Sequence, residues 1–275
     1  MLALDRNVQY EAERLLEERI ERHQAASGNI IVMEVQTGAI LAMVNRPSYE
    51  PARYGAWEYK DLWANTSISW IYEPGSVFKV LTLAAGLDAN VISPDDTYDD
   101  RGEIQIGEQR IYNSDRRAHG TTTMTELLAY SRNVGSVHVA TLLGETRFYE
   151  VMRRFGFGET TGIDLVLEED GIMNVPGDAV WHKSNLATNS FGQGIATTPL
   201  QVVAAFGTIA NDGILMRPYV VERVIAPSRG EDDPELQAEI ALLRIGPKQI
   251  RRVISSEAAS QITKLSADAV DLSMK

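Results

Sequence analysis

Tyr72-Glu73-Pro74-Gly75-Ser76-Val77-Phe78-Lys79 is the stretch from which the rest of this 275-residue sequence can be read. Pro74-Gly75 breaks the preceding chain, and the apolar periodicity beyond Ser76 predicts a helix over 76–90. Ser76 then lies in the first turn, where backbone N–H groups without intrahelical acceptors favour developing negative charge. Lys79 comes three residues later, so its amine shares a helix face with the Ser76 hydroxyl. A serine is a poor nucleophile until a base takes its proton, and a lysine can be that base if burial and neighbours hold it neutral. A helix-capping serine followed by a solvent-facing lysine accounts for a bare Ser-x-x-Lys as well, because short motifs match by chance. The chain contains only one such motif, and the flanking sequence decides between the two readings.

Outward from this segment, the pattern is helix-rich. Asp5 is a predicted N-cap for a helix to about Gln24, with Val8, Ala12, Leu15, Leu16 and Ile20 on one stripe. Ile30–Val35 and Ala39–Val44, joined by Gln36-Thr37-Gly38, form a predicted hairpin. Residues 46–74 read as an irregular, aromatic excursion and 91–121 as loop and short strand. Helices are predicted at 122–130, 135–143 and 145–155, followed by a Gly- and acid-rich loop to about 190. Thr198-Pro199-Leu200-Gln201 combines a capping-box spacing with Pro at the first helical position. Tyr219–Ala226 reads as a strand, 227–239 as an acidic linker and 256–269 as a last helix. One hairpin is little sheet for so many helices, and a two-stranded sheet is marginal without further strands or a covering helix. Strands are therefore expected to be missing.

Composition narrows the chemistry. With 26 Lys and Arg against 38 Asp and Glu the net charge is −12, which argues against nucleic acid or anionic lipid as the main partner. There is no cysteine, hence no disulfide framework and no thiolate nucleophile or metal ligand. Four histidines without an i,i+4 pair give a zinc site little support. His119 and His138 read as structural residues. Trp57, Trp63, Trp70 and Tyr72 suit ordinary packing or the wall of a peptide groove. No apolar run reaches membrane-spanning length and no export signal opens the chain, so an address outside the membrane would lie on other sequence.

Glu-Pro-Gly-Ser-Val-Phe-Lys resembles the nucleophile segment of the monofunctional, class B penicillin-binding proteins. Their second motif is Ser-x-Asn on a turn between two helices, and Ser131-Arg132-Asn133 sits between two predicted helices. Ser27-Gly28-Asn29 also fits the pattern but precedes the first strand. Asn113-Ser114-Asp115-Arg116-Arg117-Ala118-His119-Gly120, Arg153–Gly158 with Thr161–Asp164, and Asn189–Gly194 with Thr198–Gln201 resemble further blocks of the family, in order. The likeness runs from about Leu4 to the last helix.

The resemblance implies an α/β fold of the α+β kind, shared with serine β-lactamases: helix-rich, with an antiparallel sheet that is here incomplete. It implies a D,D-transpeptidase, with Ser76 attacking D-alanyl-D-alanine stem peptides of peptidoglycan and Lys79 taking the serine proton. Ser131 would relay a proton to the departing D-alanine, and Asn133 would bond Lys79 and the substrate amide. β-Lactam antibiotics and other cell-wall synthesis proteins are the further partners implied. No metal or organic cofactor is. The location implied is the extracytoplasmic face of the bacterial membrane.

One departure matters. The family's third motif, Lys-Thr/Ser-Gly on a strand, is absent; Lys183-Ser184-Asn185 comes nearest but lacks the glycine and precedes the Phe191-Gly192-Gln193-Gly194 block. Residues 1–275 therefore read as a transpeptidase domain that stops short of that motif and its later strands, without the family's N-terminal anchor and dimerisation region. The hairpin would then keep an unpaired edge. A serine β-lactamase or β-lactam sensor, or a non-catalytic cell-wall scaffold, are the alternatives. The first needs a deacylating base for which no motif is found, and Ser-x-Asn rather than Ser-x-Val leans away from the class D enzymes and sensors. Against the scaffold stand intact Ser76, Lys79, Ser131 and Asn133.

Overall fold

The computed structural model describes residues 1–53, 55, 62–224 and 243–274. In chain order the elements are α1 (Arg6–His23), β1 (Gly28–Met33), β2 (Ile40–Arg46), α2 (Thr66–Ser69), α3 (Phe78–Asp88), β3 (Thr97–Asp100), β4 (Glu103–Ile106), β5 (Gln109–Tyr112) and β6 (Gly120–Thr123). There follow α4 (Met124–Ala129), α5 (Asn133–Leu143), α6 (Glu145–Arg154), α7 (Lys183–Asn189), α8 (Pro199–Ala210), β7 (Ile214–Met216), β8 (Arg223–Val224), β9 (Leu243–Arg244), β10 (Gln249–Arg252) and α9 (Ser256–Ser273). The expected acidic linker at 227–239, residues 225–226 of the expected strand and Trp57 lie outside the described residues.

The helix starts follow local chemistry. Asp5 Oδ1 accepts from the N–H groups of Asn7 and Val8, as its N-cap position predicts. Thr198 and Gln201 close the expected capping box over Pro199. The segment 76–90 begins one step differently: Gly75–Val77 is a 3₁₀ turn that runs into α3 at Phe78.

Sheet is more plentiful than the sequence reading allowed, but it comes in pieces. The described residues form antiparallel pairs β1–β2, β3–β6, β4–β5, β7–β10 and β8–β9, each two-stranded. Two to seven residues per strand leave little room for alternation to register, so 91–121 read only as loop and short strand and β7, β9 and β10 went unread. Lys183-Ser184-Asn185 opens α7, so it is helical and not a strand motif.

The β1–β2 hairpin is covered on both faces. A register shift between Val32 and Met33 turns Ile40 to the face opposite Ala42 and Val44. Ala42 and Val44, with Ile30 and Val32, pack under Ala12 and Leu16 of α1. Ile40, with Ile31, Met33 and Met43, packs against Ile68, Ile163 and Leu200 on the other side. The hairpin thus has the covering helix that a two-stranded sheet needs. Among the described residues β1 pairs only with β2, so its outer edge keeps the open ladder.

The main core surrounds α3. Phe78, Leu81, Leu83, Ala84, Ala85 and Leu87 are buried with Leu127 of α4, Val139 of α5, Met152 of α6 and Ile262 of α9. Gly135 sets how closely α5 approaches its neighbours. A Cβ there would lie 2.5 Å from both the Tyr98 hydroxyl and Leu127 Cδ1. Gly135→Ala would gain about 1 kcal/mol of helix propensity, against an overpacking cost of about 1–3 kcal/mol. Because Tyr98 is buried and stacked on His138, the clash is expected to win. Chemical denaturation should show a net loss of up to about 2 kcal/mol with unchanged m-value; a gain would mean that β3 and α4 move aside freely.

Candidate active site

α3 is apolar around nearly its whole circumference, and this dictates the environment of Lys79 in its first turn. Lys79 is 1% exposed. Its amine nevertheless has three partners: the Ser131 carbonyl at 2.6 Å, Ser131 Oγ at 2.9 Å and Asn133 Oδ1 at 2.7 Å. Burial pulls the Lys79 pKa down from 10.5 to about 7. The N-terminal end of a helix disfavours a cation in the same sense. The partner set suits both protonation states. An ammonium donates to all three oxygens, while a neutral amine donates to the carbonyl and the amide oxygen and accepts from the Ser131 hydroxyl.

The turn between α4 and α5 supplies these partners through an uncommon backbone. Ser131 has φ 54°, a left-handed conformation that non-glycine residues rarely adopt. It follows the C-terminus of α4, with the Ser131 and Arg132 N–H groups bonded back to the Leu128 and Leu127 carbonyls. Neither Ser131 nor Asn133 caps α5. The N-cap is Arg132, which makes no side-chain cap, and the Val134 N–H is taken by Asn113 Oδ1 at 3.1 Å. Asn113 is itself held by the buried Asp100 carboxylate, at 2.8 and 2.9 Å. Asn133 Nδ2 donates to the Tyr112 carbonyl at 2.9 Å, which fixes the direction of its amide.

Ser76 is exposed, and its hydroxyl makes no hydrogen bond among the described residues. The loop carrying it is gripped from behind. Gly75 N–H donates to the Gly192 carbonyl at 2.9 Å, Gly194 N–H to Glu73 Oε1 at 2.7 Å, and Tyr72 exchanges backbone bonds with Thr197. Gly192 has φ 76°, and a Cβ there would overlap the Gly75 backbone. The Phe191-Gly192-Gln193-Gly194 block is therefore glycine-rich because two backbones touch there. Behind it, the Ser190 carbonyl accepts from Thr82 Oγ1 of α3 at 2.8 Å and Ser136 Oγ of α5 at 2.6 Å.

Of the four expected residues, the structure brings Lys79, Ser131 and Asn133 into direct contact and sets Ser76 one turn ahead of Lys79 with a free hydroxyl. The competing Ser27-Gly28-Asn29 enters β1 and shares no bond with Lys79. His138 stacks on Tyr98 and is pushed down by burial, while His119 pairs with Asp115, both structural contacts. Trp70 stacks on Tyr72 with centroids 5.7 Å apart. Among the described residues no His/Asp/Glu cluster could hold a metal ion. Asn113 and Ser190 lie in the family-like blocks, but their roles were not read, since a side chain or carbonyl that positions another segment leaves no local pattern.

Residues 28–270 match the family model described as the penicillin binding protein transpeptidase domain. Penicillin-binding protein PbpB of Mycolicibacterium smegmatis is 32% identical over 228 residues, covering 82% of this chain and 35% of that protein. Stage V sporulation protein D of Bacillus subtilis is 33% identical over 262 residues, 95% of this chain and 39% of that protein. Peptidoglycan D,D-transpeptidase FtsI of Escherichia coli is 31% identical over 230 residues, 84% of this chain and 38% of its own. The crystal structure of penicillin binding protein 3 from Mycobacterium tuberculosis complexed with aztreonam superposes with a TM-score of 0.82 at 30% identity, covering 96% of this chain and 56% of that one. This chain thus spans between 35% and 39% of the length of these curated relatives. A Ser-x-x-Lys helix start, a Ser-x-Asn turn bonded to its lysine, and a family match over nearly the whole chain lead to one conclusion: the chain belongs to the penicillin-binding protein transpeptidase family.

Proposed function

We propose that this chain carries the nucleophile and base of a peptidoglycan D,D-transpeptidase. Ser76 is the nucleophile, Lys79 the base, Ser131 the proton relay, and Asn133 the residue that orients Lys79 and the substrate amide. The observation that carries the reading is the buried Lys79 amine, its pKa pulled down to about 7, held by Ser131 and Asn133 one turn from a free serine hydroxyl. Ser76 Oγ bonds to the carbonyl carbon between the terminal D-alanines while its proton passes to Lys79 Nζ. The three oxygens around Nζ then stabilise the ammonium that forms. As the C–N bond breaks, the departing D-alanine amine takes a proton through the Ser131 hydroxyl, leaving an ester on Ser76. A second peptide's amine attacks that ester and releases Ser76 with its proton restored.

A β-lactam enters the same first step, but its leaving amine stays tethered within the opened ring. The place of work is the extracytoplasmic face of the bacterial membrane, in company with other cell-wall synthesis proteins, since that is where the substrate lies. No helix of the described residues is long and apolar enough to cross a membrane. The 275 residues hold no Lys-Thr-Gly or Lys-Ser-Gly. In the family the strand of that motif supplies one of two oxyanion-hole N–H donors, and losing one such donor costs roughly 10²–10³ in rate, so acylation of these residues alone is expected to be slow.

Two outcomes are expected. Fluorescent penicillin followed by intact-mass analysis and peptide mapping should give slow labelling, one adduct per chain, on Ser76, and none in Ser76→Ala; labelling that survives this substitution removes the nucleophile assignment. The second outcome concerns linkage. Lys79 binds its proton less tightly folded than unfolded, so between about pH 7 and its unfolded value the unfolded chain carries the extra proton. Stability relative to Lys79→Met should therefore rise with pH across that window, at most by about 1.4 kcal/mol per pH unit. Denaturant melts of both proteins at pH 7 and pH 9 measure this, and a flat difference would show that the amine stays charged.

A further inference from the structure

The residue between Ser131 and Asn133 faces the other way. Arg132 is extended, with φ −71° and ψ 116°, so neighbouring side chains alternate in direction. Ser131 and Asn133 meet Lys79, whereas Arg132 turns into the loop before β6. There its Nη1 donates to Asp115 Oδ2 at 2.8 Å, and its Nη2 meets His119 Nδ1 at 3.2 Å. His119 Nε2 closes the ring on the same Asp115 oxygen at 2.9 Å. Because Nδ1 faces a guanidinium N–H, the imidazole proton belongs on Nε2, where it is donated to the carboxylate. The other Asp115 oxygen accepts the Arg117 N–H at 3.1 Å. The Arg132 side chain is 12% exposed, its carbon lies 5.2 Å from the Tyr130 ring centroid, and its Nε is buried without a partner.

We propose that Asp115 is a positioning residue, which through Arg132 holds the Ser131–Asn133 turn in the geometry that receives the Lys79 amine. The proposal deepens the transpeptidase reading and rests on it for its catalytic meaning. Three features support it. The left-handed Ser131 needs something besides its own preference to keep it there. Arg132 follows it immediately and is anchored at two points by a planar fork, which fixes direction as well as distance. The anchor is firmly ionised: the Arg117 N–H, then Arg132 and His119, hold Asp115 down to about 2. Arg116 of the same loop points elsewhere, over the Tyr112 ring.

The test reads Lys79 itself. The chain has six lysines, so ¹³Cε-lysine labelling gives few NMR signals, and the Lys79 signal is the one lost in Lys79→Met. In Asp115→Asn the Arg132 cation is left uncompensated and the amine's oxygens are free to drift, and both effects disfavour the ammonium. The Lys79 midpoint should fall by about half a pH unit or more, and the penicillin acylation rate by about tenfold at unchanged label stoichiometry. Asp115→Glu should recover part of both. A loop-stabilising role alone would lower the melting temperature or the labelled fraction without moving the midpoint. Arg132→Lys, which keeps the charge but loses the fork, should shift the midpoint in the same direction and serves if Asp115→Asn does not fold. A Lys79 midpoint equal to wild type in a folded variant overturns the proposal. Because the titration needs no substrate, labelling that survives Ser76→Ala would sink the transpeptidase reading and leave this readout standing.

Discussion

Lys79 enters the core on a helix that is apolar on nearly every side, and its amine must find partners there or lose its solvation uncompensated. Three oxygens from the α4–α5 turn meet that need. The same burial that makes them necessary also brings the pKa of the amine down to about 7. The fold thus makes a base by placing a lysine where a charge is unwelcome, and keeps it soluble in the core by surrounding it with acceptors. Those acceptors are where a proton, once accepted, can rest or move on.

This arrangement only works if three segments distant in sequence hold a fixed relation. The Ser76 loop and the 191–194 loop are joined largely through backbone, while side chains tie in the Ser131 turn and its helix. Ser190 contributes one carbonyl to both α3 and α5, and Gly192 lets two loops approach until their backbones touch. Asn113, fixed by Asp100, terminates α5 from outside. The site is therefore most sensitive to substitution at Gly192 and at its buried polar groups rather than in its apolar core.

Much of the site was legible in the sequence because its chemistry lies in short, ordered spacings. Ser76 and Lys79 stand out from Pro74-Gly75 and the apolar run that follows, and Ser131-Arg132-Asn133 is singled out by the helices on either side. The N-terminal helix, the hairpin and the capping box at Thr198 follow from local rules. What escaped was whatever depends on distant partners. β7 pairs with β10 more than thirty residues away, and the stretch read as loop and short strand resolves into four strands of four residues each, whose pairing no local pattern gives. The hairpin looked bare because α1 cannot be seen packing on it from periodicity alone, nor can α2 and α8 on the other face. Ser131's left-handed backbone and the grip of Asp115 on Arg132 leave no pattern at all, since a serine is not the residue expected there.

The central claim is that neutral Lys79 is the base for Ser76, and the pH dependence of the rate of Ser76 acylation by penicillin, followed from pH 5 to 10, tests it most directly. The account predicts a rate that rises with a single midpoint near 7 and then levels off, with Lys79→Arg abolishing the rise. A rate independent of pH across that range, or one still climbing toward the ordinary lysine value, would contradict it.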